Sequence, residues 1–435
     1  MILPGLLRNV LKSKPVIRSL FTMKVNSEEF KSLFTDGFKK LVEIFDKNGF
    51  EIRIAGGAVR DLLLGIAPKD VDFASTATPD QMKTFFNKEE IRMINMKGEK
   101  HGTITARICD ENFEITTLRV DMVTDGRHAE VQFTKDWELD ANRRDLTINS
   151  MFLGVDGTLF DYFNGYDDLL KRRVVFVGDP RKRIQEDYLR ILRYFRFYGR
   201  IAELPNDHNE DTIKAISENV VGLEKISGER IWQEVSKILS GNFVSPIVQK
   251  MIQVGVHKYI GLPEKPNVSE MIKVYEMGKH FNLHPISLIS SLLYNEEDVF
   301  NFHKRCRLSL FEQELSMLIV QERDTPNEFH YYQEMVLKAS GKSDKLSKQL
   351  IEFFKYKCNL DLLSELQCWQ IPKFPVSGVD LKKEGVPHGK SVGKVLTDLR
   401  QIWIDSNFKY DKKTLLNNVP AVAGKHKINL SKSAV

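Results

Sequence analysis

At 435 residues the chain is too long for one ordinary core, and about two to four domains are expected. Its 42% hydrophobic and 28% charged residues are those of a globular protein, and no apolar run approaches the roughly 20 residues that cross a bilayer. A net charge of +5 is compatible with an RNA partner without arguing for one. The four cysteines are scattered with no C-x-x-C pair, which speaks against a zinc site or disulfide framework and fits a reducing compartment.

The N-terminus carries Arg8, Lys12, Lys14, Arg18 and Lys24 among Leu, Ile, Val and Phe, and no acidic residue before Glu28. Residues 1–27 read as a mitochondrial presequence, or else as a frayed basic tail. Met23 is placed to serve as a second start that leaves the presequence out. An amphipathic helix is expected over 30–48, with Phe30, Leu33, Phe34, Leu41 and Ile44 on one side.

The stretch RIAGGAVRDLLLGIAPKDVDFAS, residues 53–75, reads as strand, Gly-Gly turn, helix, loop and strand. Asp70 and Asp72, two apart on a strand, would point to one face and reach one pair of divalent ions. Gly56 and Gly57 allow close approach of a ligand where a helix begins, and free N–H groups there favour an anion. Arg60, one turn in, offers a guanidinium to phosphate. A triphosphate cradle beside a metal-binding carboxylate pair is the equipment of nucleotidyl transfer. Separately, a Gly-Gly turn is usually structural and an Asp-x-Asp usually solvated; together at this spacing they are far more specific.

From 51 to 160 strand-like runs dominate (EIRIAG, VDFAS, GTITARI, FEITTL and, more loosely, EVQFT), so this part should be a small sheet with helices. Glu114 in FEITTLR is either a third carboxylate, helping hold metal or polarise a hydroxyl, or an exposed strand residue. The polar stretch between Arg119 and Arg143 reads as a mobile loop. In RRDLTINSMF, Arg143 and Arg144 point in different directions, so that one can clamp phosphate while the other pairs with a carboxylate such as Asp145.

After Gly178 the pattern turns helical. DPRKRIQEDYLRILRYFRFYGRI reads as one long helix opened by Asp179 and Pro180. Asp187, Arg190, Arg193 and Arg196 step by three down one side, either as a solvated basic face or as a template for a nucleobase. Cytosine and adenine both present an amino donor beside a ring-nitrogen acceptor, which Asp187 and Arg190 would match; uracil and guanine present the reverse. GVPHGKS at 385–391 lacks P-loop spacing and reads as a turn entering a helix, either an ordinary helix start or a phosphate contact. The tail after Ala421 is basic, poor in apolar residues and expected to be disordered.

With these motifs in place, the chain resembles the class II tRNA nucleotidyltransferases, the CCA-adding enzymes, in their eukaryotic mitochondrial and cytosolic form. The GGxVRD turn and DxD pair, matched by Gly56, Gly57, Arg60, Asp61, Asp70 and Asp72, then imply a triphosphate and two magnesium ions. The RRDxxxN segment is matched by Arg143, Arg144, Asp145 and Asn149; the EDxxR template by Glu186, Asp187 and Arg190, followed by Arg193 and Arg196. The resemblance implies an α+β fold: a small polymerase-β-like head with a mixed sheet and helices, then an all-helical neck, body and tail. On this sequence those fall at 28–165 for the catalytic head, 166–260 for the neck with its template, and 261–420 for the tRNA-binding body and tail, with a basic tail at 421–435. It further implies untemplated addition of C, C and A from CTP and ATP to the tRNA 3′ end, and a flexible loop that the stretch 119–142 fits. Expected partners are tRNA and the two nucleotides, without a membrane and with homodimerisation left open. The expected location is the mitochondrial matrix, with a cytosolic or nuclear form from Met23. The rivals are a bacterial-type poly(A) polymerase, against which the HGT of GEKHGTITAR at 98–107 argues, and a catalytically idle RNA-maturation factor, which would have lost a carboxylate or the template pair.

Overall fold

The computed structural model describes residues 23–94, 96–124, 129–326, 328–339 and 343–431. Most of the expected presequence, residues 1–22, lies outside these. The described chain forms two compact units. One comprises the residues up to Tyr275 with Leu288–Gln313; the other comprises Glu276–Ser287 with the residues from Glu314 onward.

The first unit begins with helices α1 (Glu28–Lys31) and α2 (Asp36–Lys47). One helix was expected over 30–48, but Thr35 interrupts it: its backbone is extended and its Oγ1 accepts the Phe38 N–H at 3.1 Å, a side-chain cap that starts α2 afresh. Strand β1 (Ile52–Ala55), helix α3 (Gly57–Leu63), strand β2 (Asp72–Ser75) and helix α4 (Pro79–Lys88) follow. Next come β3 (Arg92–Ile94), β4 (Thr103–Ile108) and β5 (Glu111–Thr117). Strands β6 (Arg119–Thr124) and β7 (Ala129–Phe133) form a separate antiparallel ribbon leading into α5 (Trp137–Asn142). The stretch expected to be a mobile loop is therefore mostly regular structure, while its DGRH centre, residues 125–128, lies outside the described residues.

Strands β8 (Phe152–Gly154) and β9 (Leu159–Phe160) complete a seven-stranded sheet in the order β3-β4-β5-β2-β1-β8-β9. All its pairs are antiparallel except β2 with β5. Along β4 and β5 the pattern alternates. Ile104, Ala106, Phe113 and Ile115 are buried under α2 and α4, while Thr103, Thr105 and Glu114 take the opposite face. Toward β1 and β8 that second face is covered too: Trp137 and Ala141 of α5 pack with Ala55, Ala74 and Phe152. Arg53 is held there with its guanidinium 3.9 Å from the Trp137 ring and 3.5 Å from the Phe160 ring. This seats α5 against the sheet beside the start of β2.

The far edge of the sheet is extended by the N-terminal residues. The Met23 carbonyl accepts the Leu159 N–H at 2.9 Å, the Val25 N–H donates to Gly157 at 2.8 Å, and Val25 is buried. The leader boundary expected at residue 27 thus falls within the described structure, where pairing with the sheet, among the described residues, begins at Met23. A chain begun at Met23 keeps both of these bonds and the buried Val25. A chain begun at Glu28 should lose about 2 kcal/mol from Val25 burial alone. Thermal denaturation of the two truncations checks this; equal midpoints would show that the edge residues contribute nothing.

Helices α6 (Gly165–Leu170), α7 (Pro180–Glu186), α8 (Arg190–Ile201), α9 (Glu210–Asn219) and α10 (Gly228–Leu239) continue the first unit. The single helix expected from Asp179 is two. Asp179 caps the first as anticipated, accepting the Lys182 N–H at 2.9 Å, but Asp187 leaves helical geometry with φ −152° and ψ 107°.

In the second unit, helices Gly378–Lys383, Lys390–Asp405 and Val419–Lys425 bury Leu381, Val395, Leu399, Trp403 and Val422 in one cluster. Gly389 starts the helix Lys390–Asp405, so GVPHGKS is a turn between helices. The tail expected to be disordered from 421 is structured through Ser431. Val419–Lys425 is helical, Ile428 and Leu430 pack on the cluster, and the Ser431 N–H reaches the Gly385 carbonyl at 2.9 Å. No helix among the described residues is long and apolar enough to cross a membrane.

Candidate active site

A cleft of about 510 Å³ opens on the exposed face of the sheet, between the ends of β1, β2 and β5 and helices α3, α8 and α10. Asp72 opens β2 and sits beside Ala55 on one side and Glu114 on the other. The two carboxylates are therefore neighbours on one face, and both line the cleft. Asp70 falls in the bend before β2, not on the strand as expected. It faces a second cavity of about 750 Å³ that Asp72 and Glu114 also line.

The acids disturb one another. Burial and then the nearby Asp70 push the Asp72 pKa up, against the pull of Arg144; burial and then Asp72 push Glu114 up. A hard cation taking oxygen ligands would relieve both, and magnesium is commonly bound by one or two carboxylates plus substrate phosphates. The donor set fits that mode. Among the described residues no group of three His, Cys, Asp or Glu side chains stands ready to cage a metal without such help.

The opposite wall is basic. Gly56 has φ +64°, and a Cβ there would lie 3.1 Å from Nη1 of Arg144, so glycine gives that guanidinium its place. The Gly56 N–H is spent on the Met151 carbonyl at 3.2 Å, so main-chain donors to an anion begin at Gly57. Arg60 lines the cleft but is largely engaged within the protein, donating to Asp61 at 2.8 Å and to Asn149 at 2.6 Å. Arg143 and Arg144 both bind Asp140 of α5, at 2.9 and 3.1 Å, and do not use Asp145. Asp145 instead takes Arg193 at 2.6 Å. The arginine pair follows α5, so its carboxylate partner is the one three and four residues back. Arg119 adds a further cation. Burial and the neighbouring Arg143 push its pKa down to about 10, and its buried Nε and the Asp121 Oδ1, 3.6 Å apart, lack hydrogen bonds.

At the far end stand Asp187, Arg190, Arg193 and Arg230. Asp187 accepts the Leu189 N–H at 3.0 Å on one oxygen and Arg230 at 2.8 Å on the other. Arg190 donates to Glu186 at 2.5 Å and to the Arg183 and Arg143 carbonyls at 2.9 Å each. Those bonds use three of the guanidinium's five N–H donors.

Comparison with known proteins bears on this arrangement. Residues 52–175 match the family model described as the poly A polymerase head domain, and residues 209–265 the probable RNA and SrmB-binding site of polymerase A. The mouse protein named CCA tRNA nucleotidyltransferase 1, mitochondrial, is 52% identical over 92% of this chain and 94% of its own. The human protein of that name is 51% identical over 92% and 93%. The chain belongs to the CCA tRNA nucleotidyltransferase family. The fold agrees: the crystal structure of the Bacillus stearothermophilus CCA-adding enzyme in complex with CTP superimposes with a TM-score of 0.73 at 22% identity, covering 92% of this chain and 99% of that one.

Within this family frame the structure gathers most of the residues singled out in the sequence: Gly56, Gly57, Arg60, Asp72, Glu114, Arg144, Asp187, Arg190 and Arg193 all line the cleft. Arg196 does not. Each step of three residues falls back about 60° around a helix, so Arg196 has turned about 120° from Arg190. It binds Glu234 of α10 at 2.9 Å and stacks on Phe197. The sequence reading missed Asp140, Arg119, Asp121 and Arg230. Asp140 had a signal in its spacing to the arginine pair; Arg230, 43 residues from Asp187, had none.

Proposed function

We propose that this chain adds C, C and A to the 3′ end of tRNA, taking CTP and ATP and releasing pyrophosphate. The observation that carries the proposal is one cleft with paired carboxylates at one end, a row of arginines along its wall, and an Asp and Arg suited to a base edge at the other. Family membership supports the same activity.

In this reading the tRNA 3′-hydroxyl attacks the α-phosphorus of the bound nucleotide. Asp70 and Asp72, with Glu114 alongside, would hold two magnesium ions, which supply activation of the hydroxyl and neutralisation of the departing pyrophosphate. Glu114, its pKa raised by burial and by Asp72, is the carboxylate suited to receive the hydroxyl proton. Arg144, Arg143 and Arg119 face the triphosphate, with Arg60 supporting the Gly56 and Gly57 turn. Asp187 accepts from the amino group of cytosine or adenine while Arg190 donates to the ring nitrogen. With its start moved from residue 28 to Met23, which pairs with the sheet, the catalytic head runs to residue 165, the neck covers 166–260, and the helical remainder engages tRNA through shape and backbone. We also propose a mitochondrial location through a leader ending before Met23, with a cytosolic or nuclear form started at Met23; the mouse and human relatives carry the word mitochondrial in their names.

The test is incubation with tRNA lacking its 3′ CCA and each labelled nucleotide, with product length read on a gel. Three added nucleotides, and growth only with CTP followed by ATP, are expected. Long runs of A would support the poly(A) polymerase reading, and no extension the idle scaffold.

A further inference from the structure

We propose that Arg230 is a positioning residue for base choice: by binding Asp187 it sets the plane of the carboxylate that selects cytosine and adenine. The inference rests on the reading that Asp187 recognises the amino group.

Asp187 is not fixed by a helix. It ends α7 in extended geometry, so its carboxylate depends on individual donors for its direction. It has one on each oxygen: the Leu189 N–H on Oδ1 and Arg230 Nη2 on Oδ2. A carboxylate pinned at both oxygens keeps its remaining lone pairs in fixed directions, ready to accept from an amino group and to repel a base carbonyl. With Oδ2 released, only one main-chain donor remains, and the broad terminal torsion of an aspartate is free to turn. Selection against uracil and guanine depends on that turn being prevented.

Arg230 is rooted firmly enough for this task. It lies on the first turn of α10, where Gly228 meets the carbonyl of Arg305 so closely that any Cβ would collide with it. Arg305 is itself tied to the Tyr259 and Leu223 carbonyls at 2.9 and 2.8 Å. On the other side of Arg230, Ile231 is buried and Trp232 donates to Glu312 at 2.8 Å. Asp187 and Arg230 both line the cleft, so the pair borders the space a base would enter.

The experiment measures kcat and KM for all four nucleotides, on tRNA ending at the position to be filled, with the full chain and its Arg230→Gln, Arg230→Lys, Asp187→Asn and double Arg230→Gln/Asp187→Asn variants. Arg230→Gln should raise the use of UTP and GTP relative to CTP and ATP roughly tenfold, the worth of one charged hydrogen bond. Lysine should restore most of the discrimination, and the double variant should discriminate no worse than Asp187→Asn alone. Should the glutamine protein fail to melt cooperatively, Arg230→Met, of similar bulk, replaces it. If Arg230→Gln keeps the wild-type nucleotide ratios while Asp187→Asn loses them, Arg230 does not position Asp187 and the base-selection reading stands. If neither variant changes the ratios, base selection by Asp187 fails, and this proposal with it.

Discussion

Asp72→Ala should abolish addition of both C and A while leaving tRNA affinity close to that of the unaltered protein. Asp72 opens β2 beside Glu114, lines both cavities, and carries a pKa raised by burial and by Asp70. Every round of addition uses this same position, whichever base is selected at the other end of the cleft. Removing a carboxylate that supports transition-state charge through bound cations should cost about 4 kcal/mol, roughly a thousandfold in rate. Single-turnover addition of each nucleotide and a tRNA binding titration measure the two quantities. Wild-type rates in a folded Asp72→Ala protein would remove this residue from the centre.

Asp140→Asn should cost the fold about 3 kcal/mol and weaken nucleotide binding as well. Only 1% of the Asp140 side chain is exposed, and it accepts from Arg143, Arg144 and the Arg119 main-chain N–H. Its loss leaves two guanidiniums short of their counter-charge, which is where breaking a buried pair becomes expensive. The variant should also answer differently to acid. Burial alone would raise the Asp140 pKa, but Arg144 and Arg143 more than offset this and hold it below the usual carboxylate range. Its contribution is therefore complete above the unfolded value of about 3.9 and is lost as pH falls through the lower folded value. Melting curves from neutral pH downward should show the unaltered protein losing more stability across that window than Asp140→Asn does. Parallel acid slopes would mean that Asp140 carries no such linkage.

The head was legible in the sequence because its signals are local. The strand, the Gly-Gly turn, helix α3 and the start of β2 lie within 53–75, and glycine at positive φ, alternation and carboxylate spacing each act over a few residues. The register that puts Glu114 beside Asp72 was not legible, since it joins strands some 40 residues apart through a parallel pairing. The break at Asp187 was hidden for a related reason. The residues around it are compatible with a helix, and the extended geometry is accompanied by bonds to Leu189 and to the distant Arg230. The β6–β7 ribbon was obscured by the polar DGRH between its strands, and the ordered tail by its dependence on two isolated apolar residues, Ile428 and Leu430.

Asp61 accepts at once from Arg60, its neighbour one turn into α3, and from Arg200 at the end of α8, the latter at 3.0 and 2.8 Å to its two oxygens. One counter-ion is thus shared by the helix that follows the glycine turn and the helix that carries Arg190 and Arg193. The two helices are thereby tied through a single side chain. A change at Arg200 alters the surroundings of Arg60, and compensating substitutions should surface in pairs far apart in the chain. A single substitution at Asp61 should therefore lower triphosphate affinity and base selectivity together.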